Sequence, residues 1–141
     1  MAAAEGSPYP RQMKKTARPH RVAIADDSPA FLAAAASHVS SLPGFMLAGT
    51  ANSAHQALEL VESAAPDVLL LDLGLAPKRA LDLVRRVKAA PGAPAVVALA
   101  LFHTPEAVAE AKRAGADALV GKESFVAGLR QALASLFPAG T

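Results

Sequence analysis

From Arg21 to Phe137 the chain alternates short aliphatic runs with longer stretches in which apolar residues recur at helical spacing. The runs Arg21–Ala25, Phe45–Thr50, Asp67–Leu71, Ala95–Leu101 and Ala116–Val120 predict five strands. Helices are predicted over FLAAAASHVSSL, Ser53–Ala64, Lys78–Ala90, Pro105–Ala114 and Ser124–Phe137. Ser28-Pro29 supplies an N-cap with proline at the first helical position, and Pro43-Gly44 ends the first helix.

The order is therefore (βα)5. Strands separated by helices need crossover connections, which force a parallel sheet with helices on both faces, so the expected fold class is a doubly wound α/β sandwich. For five strands the common order is 2-1-3-4-5, the flavodoxin-like arrangement, which makes the first and third strands neighbours. The run VLLL before Asp72 fits a strand covered on both faces, where a carboxylate needs a partner. Ligands in such sheets gather beyond the carboxyl ends of the strands, at the point where strand order reverses. Asp26 and Asp27 end the first strand and Asp72 ends the third, so three carboxylates converge at that point.

Crowded carboxylates repel, so either one keeps its proton or a cation neutralises them. Mg2+ suits them, because it takes oxygen ligands, keeps several waters and commonly binds one or two carboxylates together with phosphate oxygens. A site with no nearby His or Cys argues against zinc. Lys122 closes the fifth strand at the same end of the sheet, and an ammonium beside a metal-neutralised carboxylate suits an incoming phosphoryl group. Taken singly, Asp26 and Asp27 could be turn or capping residues, Asp72 the start of a loop and Lys122 a surface lysine. Their joint placement at three strand ends favours the site.

Composition narrows the alternatives. About a quarter of the 141 residues are Ala, aromatics are 4% and Trp is absent, so the core should be small aliphatics, and stacking recognition of nucleic acid has little to work with. Zero Cys excludes disulfides and thiol redox chemistry and fits a cytoplasmic location. No window approaches a membrane span. Residues 1–21 carry five basic residues against Glu5, whereas the remainder carries nine basic and eleven acidic ones. The basic character thus belongs to a Pro-containing arm over residues 1–20, expected to be disordered, ahead of a single domain over 21–138 and a short tail, 139–141. Met13 opens a natural compact start, so two starts stay open: Met1, with the first twelve residues part of a functional arm, or Met13, with those residues an extension outside the natural chain.

Three segments, RVAIADDSPAF, VLLLDLGLAP and AGADALVGKES, resemble the acid pair, phosphoacceptor strand and lysine segment of the receiver domains of two-component response regulators (CheY-like). The resemblance covers roughly Arg21 to Phe137. It implies that Asp72 is phosphorylated by a histidine kinase or phosphotransfer protein and loses the phosphate again by autodephosphorylation. It also implies that Asp26, Asp27 and Asp72 hold Mg2+ with the Gly74 backbone carbonyl, and that Lys122 contacts the phosphoryl group. No independent metabolic activity is expected, since there is no nucleophile–base dyad or Gly-rich phosphate loop.

Two positions depart from the family pattern. Where receivers carry Ser or Thr at the end of the fourth strand the sequence has Ala100, and where they carry Tyr or Phe in the fifth it has Leu119. Thr104, before Pro105, reads as the cap of the fourth helix rather than a substitute hydroxyl, and His103 as a solvated loop residue. His20, His38 and His55 form no ligand spacing and are read as surface residues. Gly74 leaves the phosphoryl group unshielded, and Phe102 is expected to cover it in part. The leading expectation is a stand-alone phosphoryl-accepting signalling protein whose output is protein binding through the fourth helix, fifth strand and fifth helix. Lys112 and Arg113 are candidates there; Phe125 and Leu129 fit the core better. The alternative is a phosphorylation-independent adaptor. The chain stops after the fifth helix, so sequence-specific DNA binding is not expected.

Overall fold

The computed structural model describes residues 18–75 and 77–138. Five parallel strands form one sheet in the order β2-β1-β3-β4-β5, as expected from the alternation. The elements are β1 (His20–Ala25), α1 (Pro29–Ser41), β2 (Phe45–Ala51), α2 (Ala54–Ala64), β3 (Val68–Asp72), α3 (Pro77–Ala89), β4 (Ala95–Ala100), α4 (Pro105–Ala114), β5 (Ala118–Gly121) and α5 (Phe125–Leu136), with a 3-10 turn, Lys122–Ser124, before α5. The tail at 139–141 and the arm up to residue 17 lie outside the described residues.

Alternating side chains of the strands divide the core into two layers. Val22, Ile24, Val68, Leu70, Val97, Leu99 and Val120 pack beneath α1 and α5, against Ala35, Val39, Leu129 and Leu133. Ala23, Ala25, Leu69, Leu71 and Val96 face α2, α3 and α4, against Ala57, Leu83, Val84, Val87 and Ala114. Every residue of β3 is buried, which is why its sequence runs aliphatic without alternation. Each fully buried Leu in it contributes about 1.5–3 kcal/mol relative to exposure. The alanines let the helices approach the sheet closely; Ala35 and Ala57 are 1% and 0% exposed.

The strand ends differ from the sequence reading by one or two residues, for identifiable reasons. β1 begins at His20, whose N–H donates to Gly44 O at 2.9 Å and whose ring lies between Phe45 and Phe137, 5.4 and 4.1 Å away between centroids. Asp67 precedes β3, and its carboxylate accepts the Arg21 N–H at 2.7 Å. β5 starts at Ala118 because Ala116 N–H closes the end of α4 on Ala111 O, and the Asp117 carboxylate accepts from Val96 N–H and Lys88 Nζ at 2.8 and 2.7 Å. β4 stops at Ala100, and Leu101 is 70% exposed.

Candidate phosphoryl and metal site

The carboxyl end of β1 continues the ladder one residue further, as Asp26 N–H donates to Ala51 O at 3.0 Å. That bond draws Asp26 inside, 0% exposed, while Asp27 turns outward to solvent. Asp26 Oδ1 accepts the Ser28 N–H at 2.8 Å, and Ser28 Oγ caps α1 by accepting from Phe31 N–H at 3.2 Å. The acid pair and the start of α1 are thus one hydrogen-bonded unit.

Asp72 ends β3 beside it, 6% exposed, with Oδ1 accepting the Gly74 N–H at 3.0 Å. The adjacency of β1 and β3 brings an oxygen of each of Asp26, Asp27 and Asp72 within 4.8 Å of the others. Lys122, at the end of β5, crosses β4 to join them. Its Nζ lies 2.5 Å from Asp26 Oδ2 and 3.6 Å from Asp72 Oδ2. It also lies 4.5 Å from the centroid of the Phe31 ring, which packs edge-on against Phe125 at 5.1 Å. The sequence reading missed Phe31. Its position in the first turn of α1, with helical side chains leaning toward the N-terminus, is the signal that could have found it.

Burial pushes the Asp72 carboxyl above the usual carboxylate range; the Gly74 N–H lowers it, Asp26 raises it, Lys122 lowers it and Asp27 raises it further. One lysine therefore leaves the cluster electrostatically incomplete. Asp26 Oδ2 is buried and has the Lys122 ammonium as its ion-pair partner, a cation that Asp72 shares. A hard divalent cation fits this donor set. Its oxygens, one from each of Asp26, Asp27 and Asp72, lie within 4.8 Å of one another, close enough to be bridged by one such ion.

At the end of β4, Ala100 pairs with Gly121, and Leu119 pairs with Ala98. Leu119 lines a shallow groove with His103, Gly121, Ser124, Gly128 and Gln131. Thr104 is the cap of α4, its Oγ1 accepting from Ala107 N–H at 3.1 Å, so the reading of it as a cap holds. His103 is exposed, and Phe102 is 62% exposed. A Cβ at Gly74 would stand 3.5 Å from Asp72 Oδ1, so the glycine adds no side chain over a carboxylate that is itself only 6% exposed. Leu129 is fully buried and Phe125 packs on the core, whereas Lys112 and Arg113 are exposed.

The surface assignment of the remaining histidines holds for His55, which pairs with Glu59 at 3.3 Å in solvent. It does not hold for the other two. His20 is held between two Phe rings, and His38 faces Phe125 with a buried Nε2 that has no hydrogen-bond partner.

A doubly wound five-stranded sheet carrying an acid triad and a lysine at its carboxyl end has the architecture of a receiver. The chain belongs to the response regulator receiver family: the family model, "Response regulator receiver domain", matches residues 22–134. It is 28% identical over 115 residues to the nitrate/nitrite response regulator protein NarL of Escherichia coli, covering 82% of this chain and 53% of NarL. It is 32% identical over 108 residues to a protein-glutamate methylesterase/protein-glutamine glutaminase of Anaeromyxobacter dehalogenans, covering 76% of this chain and 30% of that protein. The chain thus spans about half the length, or less, of these curated relatives. Among solved structures, a LuxR-family two-component response regulator from Aurantimonas superposes with a TM-score of 0.76 at 24% identity, covering 84% of both chains. The Mn2+-bound form of the response regulator Rcp1 superposes with a TM-score of 0.68 at 16% identity, over 87% of this chain and 98% of Rcp1. None of the described helices is long and apolar enough to cross a membrane.

Proposed function

We propose that this chain is a phosphoryl-accepting response regulator of two-component signalling, with Asp72 as the acceptor. The observation that carries the reading is the cluster of three carboxylates, Asp26, Asp27 and Asp72, at the carboxyl end of the sheet with the Lys122 ammonium against two of them. An Asp72 oxygen attacks the phosphorus of a phosphohistidine, forming an acyl phosphate as the P–N bond breaks and the histidine nitrogen leaves with the electron pair. Lys122 supplies positive charge to the phosphoryl oxygens in flight, and Phe31 holds that ammonium over its ring. Gly74 keeps the approach clear and steadies Oδ1 through its N–H. Asp26, Asp27 and Asp72, with the Gly74 carbonyl, would hold Mg2+, which supplies further neutralisation of the phosphoryl charge when bound. Hydrolysis of the acyl phosphate at the same site resets the chain.

The phosphoryl donor is a histidine kinase or phosphotransfer protein in the cytoplasm. Output is by protein contact through α4, β5 and α5, with Lys112 and Arg113 on the exposed side; Phe125 and Leu129 serve the core. A second reading is favoured by Ala100 and Leu119: the domain presents a binding surface that does not depend on phosphorylation. Intact mass after incubation with acetyl phosphate and Mg2+ separates the two. The wild type should gain one phosphoryl group and Asp72→Ala none; a wild type that binds Mg2+ yet gains no mass would leave only the second reading.

A further inference from the structure

Glu123 links Lys122 to the β4–α4 loop. It sits beside Lys122 in the 3-10 turn, its N–H donates to Leu101 O at 3.3 Å, and its Oε2 accepts the His103 N–H at 3.0 Å. The carboxylate folds back over Gly121. A Cβ at that position would fall on Glu123 and stand 2.8 Å from the His103 nitrogen, so the glycine is what makes room for the contact. The loop segment it holds carries Leu101 and Phe102, 70% and 62% exposed, which bury little of their own surface. On the other side, Lys122 is drawn into the pocket by Asp26 and Asp72.

We infer that Glu123 is the coupling element of this receiver, connecting the occupied phosphoryl site to the Leu101–His103 segment where Ala100 and Leu119 supply neither hydroxyl nor aromatic ring. The inference rests on the phosphoryl-acceptor reading of Asp72. A phosphoryl group on Asp72 offers Lys122 new anionic oxygens in place of Asp26. Lys122 and Glu123 share a three-residue turn, so a backbone shift at one is passed to the next. The bonds from Glu123 to the loop lie at the surface, where water competes for both partners, so a small displacement suffices to exchange them for hydration. The loop then has two discrete arrangements, tethered and released, and the occupancy of Asp72 biases them.

Backbone amide spectra of the full chain in Mg2+, with and without beryllofluoride as the phosphoryl mimic, test this in wild type and Glu123→Ala. In wild type the amides of Asp72–Gly74 and those of Leu101–His103 should shift together, with His103 moving upfield as it loses its carboxylate acceptor. In Glu123→Ala the Asp72–Gly74 amides should respond as in wild type. His103 should already lie at the released position and move little on adding the mimic. Glu123→Gln, which keeps a neutral acceptor, should fall between the two. An unchanged Ala107 amide, bonded to Thr104, reports that the variants are folded. Equal loop shifts in wild type and Glu123→Ala overturn the coupling role, as does a wild-type His103 that stays put while Asp72–Gly74 respond. If the Asp72–Gly74 amides stay still in wild type and variants alike, the acceptor reading falls, and the coupling role with it.

Discussion

The ends of β1 and β3 and the ends of β4 and β5 lie side by side on the same sheet edge, yet they are equipped very differently. The first pair carries Asp26, Asp27 and Asp72, with Asp26 fully buried and its hydrogen bonds spent on the turn that begins α1. The second pair ends in Ala100 and Gly121, with Leu119 before it, and contributes one charged group, Lys122, that reaches back into the first. On the proposed phosphoryl-acceptor reading, chemistry and output are separable: the acid triad and Lys122 are in place, while Ala100 and Leu119 supply neither the hydroxyl nor the ring of the usual side-chain switch. A buried carboxylate cluster is costly to keep without a use, which argues for an active site. On the same reading, the output we propose runs through other contacts.

Removing the one charge that joins the two regions should have the largest effect. Lys122→Met should slow phosphoryl gain from acetyl phosphate by about 100-fold, the scale seen when a preorganised charge partner of a transition state is lost. Initial rates from intact mass would show it; a variant as fast as wild type would mean that the lysine serves output rather than chemistry.

The next test concerns the first region alone. Burial raises the Asp72 carboxyl, so the folded chain holds that proton more tightly than the unfolded chain does. Its favourable contribution is complete below the ordinary carboxylate pKa and is lost as pH rises through the raised value. In chelator, wild type should therefore lose thermal stability relative to Asp72→Asn as pH climbs from about 4 toward neutrality, and added Mg2+ should recover it in wild type. Parallel melting curves across that pH range would contradict an electrostatic origin for the difference.

The smallest effect is expected at Phe31. Phe31→Leu keeps an apolar side chain but removes the ring face beneath Lys122, and phosphoryl gain should fall about three- to tenfold, the range of a partly desolvated cation–π contact. Phe31→Trp should restore the rate if the ring's charge distribution is what positions the ammonium. A Leu variant indistinguishable from wild type, or a Trp variant as slow as Leu, would reduce Phe31 to packing.

The sequence by itself determined the alternation of five strands and five helices, the buried character of β3 and the convergence of Asp26, Asp27, Asp72 and Lys122. These follow from hydrophobic period, capping residues and the geometry of parallel crossovers, which are local signals or rules of connection. The caps at Ser28 and Thr104 were legible for the same reason. Tertiary structure decided what depends on residues far apart in the chain. Asp26 rather than Asp27 is buried because the Ala51 carbonyl of a neighbouring strand extends β1 by one bond. Phe31 meets Lys122 across ninety intervening positions of sequence only because the start of α1 and the end of β5 lie at the same end of the sheet. His20 and His38 are half-buried against aromatic neighbours, His20 against Phe45 of β2 and Phe137 just after α5, His38 against Phe125 of α5. Glu123 bridges to His103 through space left by Gly121, and no periodicity records such a contact, since it depends on the shape of a gap between two loops.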